Sequence, residues 1–278
     1  MAEAIRIEHL YFSQPVALYE SISEKGLVST MVGSLKAKFE RHERAYTLED
    51  VNFSLNFGET LCISGASGQG KSLFLRILAG LERPDSGEFY YFGERLPLEK
   101  HNALEIASRQ VGFVLQNAAL ISDLTVRENV ALPLRYHKRG SEKDINDRVN
   151  MALDLMRVHA FEDRFPHELS TGIRKRVAIA RAWVMDPKLL LMDEPTIGLD
   201  NYDRRNLLPL IDNMKTLFKT PILIVTHDLE IAEELGCKIA LMHDRKMTAP
   251  NSFEYWLKSK KVFAEQLFRD YREREDIA

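Results

Sequence analysis

Residues 65–72 of this chain read Gly-Ala-Ser-Gly-Gln-Gly-Lys-Ser, and the apolar run that precedes them, Glu59–Ser64, predicts a strand. A glycine-rich loop between a strand and a helix lets successive backbone N–H groups turn toward one anion. The positive end of the helix dipole points at the same charge. A chance match to this motif has a probability on the order of one per cent in a chain this long. The segment therefore predicts a phosphate-binding loop in an α/β fold.

The side chains at the end of the loop predict how a nucleotide is held. Lys71 is expected to bind the β- and γ-phosphates of a nucleoside triphosphate, and Ser72 to place Mg²⁺. The backbone of the loop is expected to surround the phosphates. Its residues are Gly65, Ala66, Ser67, Gly68, Gln69, Gly70, Lys71 and Ser72.

Composition limits the class of protein. The chain has 278 residues, of which 45% are hydrophobic, a formal net charge of -3 and two cysteines. This suits one domain with a subdomain or two small domains, and the charge does not favour nucleic acid. The sequence has neither the ~18 consecutive apolar residues of a membrane-spanning helix nor a signal peptide, so a cytoplasmic location is expected. Cys62 and Cys237 are interpreted as small core residues and not as a disulfide.

Short apolar runs alternate with helical patterns, which indicates an α/β fold with a mainly parallel sheet. Leu189–Met192 and Ile222–Val225 are uninterrupted apolar runs, so they are expected to be central strands buried on both faces. From about residue 117 to 183 the pattern is helical, which predicts an inserted α-helical subdomain. The predicted strands are 4–11, 47–55, 59–64, 110–115, 188–193, 221–226 and 238–242.

A second motif, Lys188–Pro195, is a predicted strand that ends in two carboxylates. Ligands of open α/β sheets bind at the carboxyl ends of the strands, so Asp193 can hold Mg²⁺ opposite Ser72. Glu194 is then placed to deprotonate an attacking water. The alternative is that both carboxylates cap the next turn.

Val225–Asp228 repeats this arrangement with a histidine at the end of another apolar run. His227 is a candidate to hydrogen-bond the γ-phosphate. The alternative is a histidine at a helix start beside the capping residue Asp228.

The segment His167–Ala182 contains Leu-Ser-Thr-Gly-Ile-Arg-Lys-Arg and ends in Ala-Arg-Ala. With the motifs above, it resembles the signature of the ATP-binding cassette (ABC) ATPases. The resemblance runs from about residue 46 to 243 in the family's order: phosphate loop, Gln116, signature, Asp193-Glu194, Gly198-Leu-Asp200 and His227.

The resemblance implies a P-loop NTPase core with a mainly parallel sheet, an antiparallel β subdomain and an inserted α-helical subdomain. It implies an ATPase domain over residues 1–245 and a C-terminal helical extension over 246–278. ATP and Mg²⁺ are the implied cofactors, and hydrolysis of ATP coupled to transport is the implied reaction.

In that family two ATP-binding domains enclose two ATP molecules, each between the phosphate loop of one copy and the signature of the other. Ser170 and the N–H of Gly172 match the signature positions that meet the γ-phosphate. Gln116 matches the residue that touches Mg²⁺ and couples to the membrane partner, and Asp200 matches a loop that signals across the dimer. Thr171 and Ile173 depart from the usual Gly and Gln, which predicts slower or differently coupled hydrolysis.

Family members also stack the adenine on an aromatic residue upstream of the phosphate loop. Tyr46 is the favoured candidate here, with Phe39 and His42 as alternatives. A helical stripe over residues 27–39, next to basic side chains, predicts either a helix packed on its own domain or a basic helix on a membrane surface.

The apolar residue at position 173, followed by Arg174-Lys-Arg176, most resembles the Mce/Mla-type phospholipid transport ATPases. That resemblance implies a homodimer on the cytoplasmic face of the inner membrane, working with integral permease subunits, lipid-binding Mce-type proteins and small regulatory subunits. A C-terminal stripe of Phe253, Trp256, Phe263 and Leu267 packs either across such a dimer or on the chain's own core. The alternatives are a methionine-importer-like or lipoprotein-releasing ATPase, or a soluble ABC ATPase of ribosomes or DNA repair complexes.

Overall fold

Two sheets organise the chain, which a computed structural model describes at residues 2–15, 44–98, 104, 109–269 and 271. The strands are β1 (Glu3–Pro15), β2 (Arg44–Asn56), β3 (Thr60–Ser64), β4 (Ser86–Tyr91), β5 (Glu94–Leu96), β6 (Val111–Val114), β7 (Leu189–Asp193), β8 (Ile222–Val225), β9 (Lys238–His243) and β10 (Lys246–Met247). The α-helices are α1 (Lys71–Leu78), α2 (Val126–Tyr136), α3 (Glu142–Leu155), α4 (Thr171–Trp183), α5 (Asn201–Phe218), α6 (Glu230–Glu234), α7 (Phe253–Leu257) and α8 (Val262–Leu267). Short 3₁₀ turns lie at His159–Phe161 and Pro166–Glu168.

The smaller sheet is antiparallel and has the strand order β2-β1-β4-β5. Its strands β4 and β5 were not among the strands predicted from the sequence, although the resemblance implied an antiparallel subdomain. The strand β4 contains Gly87, where a Cβ would lie 3.1 Å from the Cα of Leu10 on β1. The close approach of two strands requires this glycine, and the glycine interrupts the apolar pattern from which a strand is predicted.

The larger sheet has the order β10-β9-β3-β8-β7-β6, with β9, β3, β8, β7 and β6 parallel and only β10 antiparallel. The strands β7 and β8 lie inside this sheet and are buried along their whole length. The prediction of a mainly parallel sheet with these two strands near its centre is confirmed.

The register of the parallel sheet brings the ends of three strands together. Ile63 pairs with Val225, and Asp193 pairs with Val225 from the other side. The chain segments that leave β3, β7 and β8 therefore begin side by side at the carboxyl edge of the sheet, where ligands of α/β folds bind.

A layer of helices connects β6 to β7, and residues 115–188 contain no strand in the structure. Thr125 starts α2 with a capping box that includes Glu128, and Ser141 starts α3 with one that includes Asp144. Each capping side chain satisfies a backbone N–H at the helix start, so these polar residues fix where the helices begin.

Residues 246–269 pack on the chain's own core. Trp256 is 1% exposed, and its indole Nε1–H donates to the carbonyl oxygen of Ile239 at 2.8 Å. Phe253 stacks edge to face on the buried Phe268, and Phe263 stacks on His243. The apolar stripe predicted in this region therefore has partners within the same chain.

Several sequence predictions lie outside the described residues. Phe39, His42 and the helical stripe over residues 27–39 are among them. Cys62 and Cys237 are described and confirm their prediction, since both are buried, free thiols with the two Sγ atoms 3.3 Å apart. Within the part of the chain that the structure describes, no helix is long and apolar enough to cross a membrane.

Candidate functional site

The predicted phosphate loop connects the end of β3 to the start of α1. Gly65, Gly68 and Gly70 have φ angles of 150°, 80° and 90°, and Gly70 is the residue that caps α1. These backbone conformations favour glycine, because a side chain at such φ values is strained. The loop therefore takes a shape that depends on its glycines, with the N-terminus of α1 aimed at the space that it surrounds.

Lys71 and Ser72 form the first turn of α1. The ammonium of Lys71 donates to the carbonyl oxygens of Gly65 at 2.6 Å and Ala66 at 2.9 Å, so it folds back over the loop. Desolvation by burial lowers the pKa of Lys71, opposed by the charges of Glu194 and Asp193. A cation held partly out of water in this way gains from an anionic ligand.

The Ser72 hydroxyl donates to Oδ1 of Asp193 at 3.0 Å, which joins the phosphate loop to the end of β7. Burial raises the pKa of Asp193 above its ordinary value, so this carboxylate lacks sufficient positive charge around it. The described residues contain no cluster of three or more His, Cys, Asp or Glu side chains that could hold a metal alone. One hydroxyl and one carboxylate fit Mg²⁺, which keeps several waters and takes further oxygens from substrate phosphates.

Glu194 follows Asp193 and has a φ of 48°, a left-handed conformation that is uncommon for a residue other than glycine. Its N–H donates to the carbonyl oxygen of Val225 at 2.8 Å. The residue is 9% exposed, and its carboxylate points to the end of the neighbouring strand β8. The backbone conformation therefore turns this side chain toward the pocket edge.

His227 lies beside that carboxylate. Its backbone N–H donates to Glu194 Oε1 at 3.2 Å, and its ring Nδ1 lies 2.9 Å from the same oxygen. The side chain of His227 is 62% exposed. The neighbouring Asp228 accepts from the N–H of Glu230, the first residue of α6. The N-cap of α6 is Leu229, whose side chain makes no capping hydrogen bond, so Asp228 satisfies a helix N–H without being the N-cap residue that the alternative prediction named.

A pocket of about 710 Å³ brings most of the predicted residues together. It is lined by Thr47, Gly65, Ala66, Ser67, Gly68, Gly70, Lys71, Ser72, Leu73, Arg76, Gln116, Glu194, Ile197, His227 and Leu267. Sequence reasoning gave no role in the site to Thr47, Leu73, Arg76, Ile197 or Leu267, although Leu267 belongs to the predicted C-terminal stripe. Thr47 follows the predicted Tyr46 in β2, and a Cβ on Gly70 would lie 3.4 Å from its Cγ2. Tyr46 also belongs to β2, but its side chain is outside what the structure describes.

Three residues were predicted to contact Mg²⁺: Ser72, Asp193 and Gln116. Ser72 and Asp193 are hydrogen-bonded to each other, but none of the hydrogen bonds found among the described residues joins Gln116 to this pair. Its side chain is exposed at the pocket. Its carbonyl oxygen accepts from the ammonium of Lys175 on α4, a residue to which sequence reasoning gave no role.

Ser170 and Gly172 lie elsewhere, at the start of α4. The Ser170 hydroxyl accepts from the N–H of Ile173 at 3.3 Å and caps the helix. Gly172 packs against α5, where a Cβ would lie 2.2 Å from Cγ of Asp203. Neither residue is among the described ones that line the pocket of Lys71. One chain therefore presents two separate helix starts, one at the phosphate loop and one at the signature.

The sequence matches a known family model. The model described as ABC transporter matches residues 48–197, which include the phosphate loop, the signature and both carboxylates. The chain is 37% identical over 203 residues to the sulfate/thiosulfate import ATP-binding protein of Halalkalibacterium halodurans, covering 72% of this chain and 56% of that protein. It is 38% identical over 220 residues to the probable sulfate/thiosulfate import ATP-binding protein of Chlorella vulgaris, covering 79% of this chain and 89% of that protein.

Solved structures share the fold. A dimeric ATP-binding cassette in a post-hydrolysis state, bound to ADP and Pi, superimposes with a TM-score of 0.72 at 28% identity, covering 89% of this chain and 98% of that chain. A part of an ABC transporter complex from Clostridium perfringens gives a TM-score of 0.74 at 22% identity, covering all of this chain and 95% of the other. The predicted fold class, with its parallel core, antiparallel sheet and helical layer, is confirmed.

Proposed function

The chain belongs to the ABC transporter family, as an ATP-binding domain for ATP and Mg²⁺, and we propose that it hydrolyses ATP to drive a transporter. The observation that carries this proposal is the 3.0 Å bond from Ser72 to Asp193, with Glu194 and His227 paired beside it. Phosphate-binding, metal-binding and base groups then face one pocket.

The phosphate loop binds the triphosphate. Backbone N–H groups of residues 65–72 surround the β-phosphate, and Lys71 releases the carbonyl oxygens of Gly65 and Ala66 to reach the β- and γ-phosphates. The start of α1 adds its dipole to the same charge. These contacts would position the triphosphate for attack by water on the γ-phosphate.

Ser72 and Asp193 would hold Mg²⁺, and Gln116 borders the same pocket. When bound, Mg²⁺ neutralises charge on the phosphate oxygens. The carboxylate of Asp193 gains there the positive charge that its buried position lacks. Nucleotide and metal are therefore expected to bind together.

Glu194 orients and deprotonates the water that attacks the γ-phosphate. His227 holds the Glu194 carboxylate through its N–H and Nδ1, and its exposed ring is available to the γ-phosphate. The left-handed backbone of Glu194 keeps this carboxylate in place before the substrate binds.

The test of this proposal compares wild type with Glu194→Gln and Lys71→Ala. We expect Glu194→Gln to bind ATP and lose turnover by about a thousandfold, because the amide accepts no proton. Lys71→Ala should lose ATP binding in a calorimetric titration. Unchanged turnover in the first variant removes Glu194 as the base, and normal affinity in the second removes the phosphate-loop assignment.

The protein is proposed to act as a homodimer, because Ser170 and Gly172 lie away from the pocket that holds Lys71. A second copy then presents its signature to the γ-phosphate, as the helix start at Ser170 suits an anion. Integral permease subunits complete the transporter, and the protein works from the cytoplasmic face of the membrane. The weak net charge of -3 supports no nucleic-acid partner.

The substrate is proposed to be a small oxyanion such as sulfate or thiosulfate. The two relatives reported above support this by their names and by 37–38% identity. The expected phospholipid substrate, with its Mce-type partners, rests on Ile173, on Arg174-Lys-Arg176 and on the C-terminal stripe, and these relatives give it no support. Two measurements in a strain that lacks the gene distinguish these substrates. Loss of labelled-sulfate uptake would support the oxyanion, whereas loss of outer-membrane lipid asymmetry would support the phospholipid.

A further inference from the structure

Three of the described residues are both charged and buried: Lys175, Asp193 and Glu194. The two acids belong to the site, whereas Lys175 has no place in the mechanism above. Lys175 is only 3% exposed, and a buried ammonium is costly unless it is well hydrogen-bonded. Burial lowers the pKa of Lys175, opposed by the charges of Glu194 and Asp193. The two acids thus favour its charged form.

The contacts of Lys175 are to backbone, not to carboxylates. Its ammonium donates to the carbonyl oxygen of Glu194 at 3.0 Å and to the carbonyl oxygen of Gln116. Glu194 itself has a left-handed φ of 48°, and the loop that follows Gln116 has left-handed φ values of 62° at Ala118 and 45° at Ala119. The two hydrogen bonds from Lys175 therefore fix the Glu194 carbonyl group and the start of this loop, next to backbone conformations that are unfavourable for residues other than glycine.

Lys175 also belongs to the helix that begins at the signature. It lies one turn beyond Gly172 on α4, so the two share one face of the helix. One side chain therefore connects three parts of the molecule: the start of α4, the loop at Gln116 and the end of β7 at Glu194.

We propose that Lys175 is a positioning residue that keeps the Glu194 carboxylate and the Gln116 loop in register with the signature helix. The inference rests on the proposed role of Glu194 as the base. Lys175 is not among the residues that line the pocket of Lys71, and it acts through the two carbonyl groups. Its loss leaves the phosphate loop intact, because the bonds of Lys71 and Ser72 do not pass through it.

The experiment measures kcat and KM for ATP in the full chain with three substitutions. Lys175→Met keeps length and apolar volume but removes both donors, so we expect kcat to fall about tenfold to a hundredfold with KM within about twofold. Lys175→Gln shortens the side chain by one atom but keeps an N–H donor. We expect this donor to make one of the two hydrogen bonds to the carbonyl oxygens of Glu194 and Gln116, and kcat to be intermediate. Arg176→Met is the matched control, because Arg176 is the next residue of α4 and its hydrogen bond is to Arg157 at 3.5 Å.

A kcat of Lys175→Met equal to wild type, or a raised KM with kcat unchanged, overturns the proposal. So does an equal loss in Arg176→Met, which would indicate a general effect on the helix. If Lys175→Met does not fold, Lys175→Gln decides alone, with a lowered kcat and unchanged KM supporting the proposal and any other result overturning it. Glu194→Gln separates the two hypotheses: full turnover in that variant refutes the base itself, whereas its loss beside a fully active Lys175→Met refutes only the role of Lys175.

Discussion

The phosphate loop lies close to the neighbouring strand β9 at Gly65. A Cβ built on Gly65 would lie 2.3 Å from the carbonyl oxygen of Met242 on β9, where real Cβ contacts stay beyond 3.0 Å. Gly65→Ala therefore requires a backbone shift of at least 0.7 Å, the difference between these distances, between the loop and the sheet. The neighbouring atom is backbone, so no side chain can rotate away.

The expected cost follows from two effects. The φ of +150° strains an alanine by about 1–3 kcal/mol, and the forced contact adds about 1–3 kcal/mol. We expect a loss of about 3 kcal/mol in the free energy of unfolding, which lowers Tm by about 5–10 °C in a chain of this size. A shifted loop also loses N–H contacts to phosphate, so ATP affinity should fall about tenfold or more.

Thermal unfolding and a calorimetric titration with ATP measure these two effects. Gly93→Ala is the control, because Gly93 has a φ of +87° but no atom lies within 4 Å of a Cβ built there. It carries the backbone strain without the contact and lies outside the phosphate loop. A Tm loss in Gly65→Ala no larger than in Gly93→Ala would refute the argument from the Met242 contact.

Three further predictions concern other contacts of the site and core. Burial raises the pKa of Asp193, so the folded state holds its proton more tightly than the unfolded chain, and the ionised group lowers stability above that pKa. Asp193→Asn should therefore raise the Tm of the nucleotide-free protein at pH 7, with a gain that shrinks toward pH 4, and abolish turnover; a pH-independent difference would contradict this. Gly172→Ala places a Cβ 2.2 Å from Asp203, so it should lose stability that Asp203→Ala restores, and additive losses in the double variant would exclude the contact. The hydrogen bond to Cys237 and burial raise the pKa of Cys62, and the side chains of both cysteines are buried, so both thiols should react with iodoacetamide only on unfolding, as mass spectrometry against urea concentration can test.

Those parts of the site that are formed by consecutive residues could be predicted from the sequence. The phosphate loop needs only a strand, three glycines and a helix start within consecutive residues, and Lys71 and Ser72 follow from it. Asp193 and Glu194 were found because an apolar run ended abruptly in two acids. Their hydrogen bonds across strands depend on the register of the sheet, which the sequence does not specify.

Lys175 illustrates what sequence reasoning missed. Between Arg174 and Arg176 it belongs to a basic run, and such a run normally predicts a solvated helix face. The structure rotates α4 so that the middle cation points inward while its neighbours stay partly exposed. The signal was present in the spacing, because Lys175 shares a buried face with Gly172 and Ile179 at i, i+3 and i+7.

The backbone of Glu194 explains how a single chain can prepare its carboxylate before a nucleotide binds. A left-handed φ costs about 1–3 kcal/mol and persists only where the surroundings hold it. Its N–H donates to Val225, its carbonyl oxygen accepts from Lys175, and its carboxylate accepts from His227. Relaxing the φ would reorient the peptide and break at least one of these bonds, leaving a buried polar group without a partner. The direction of the carboxylate is therefore set by the packing of β7, β8 and α4, and any change that moves α4 relative to the sheet must also move the base.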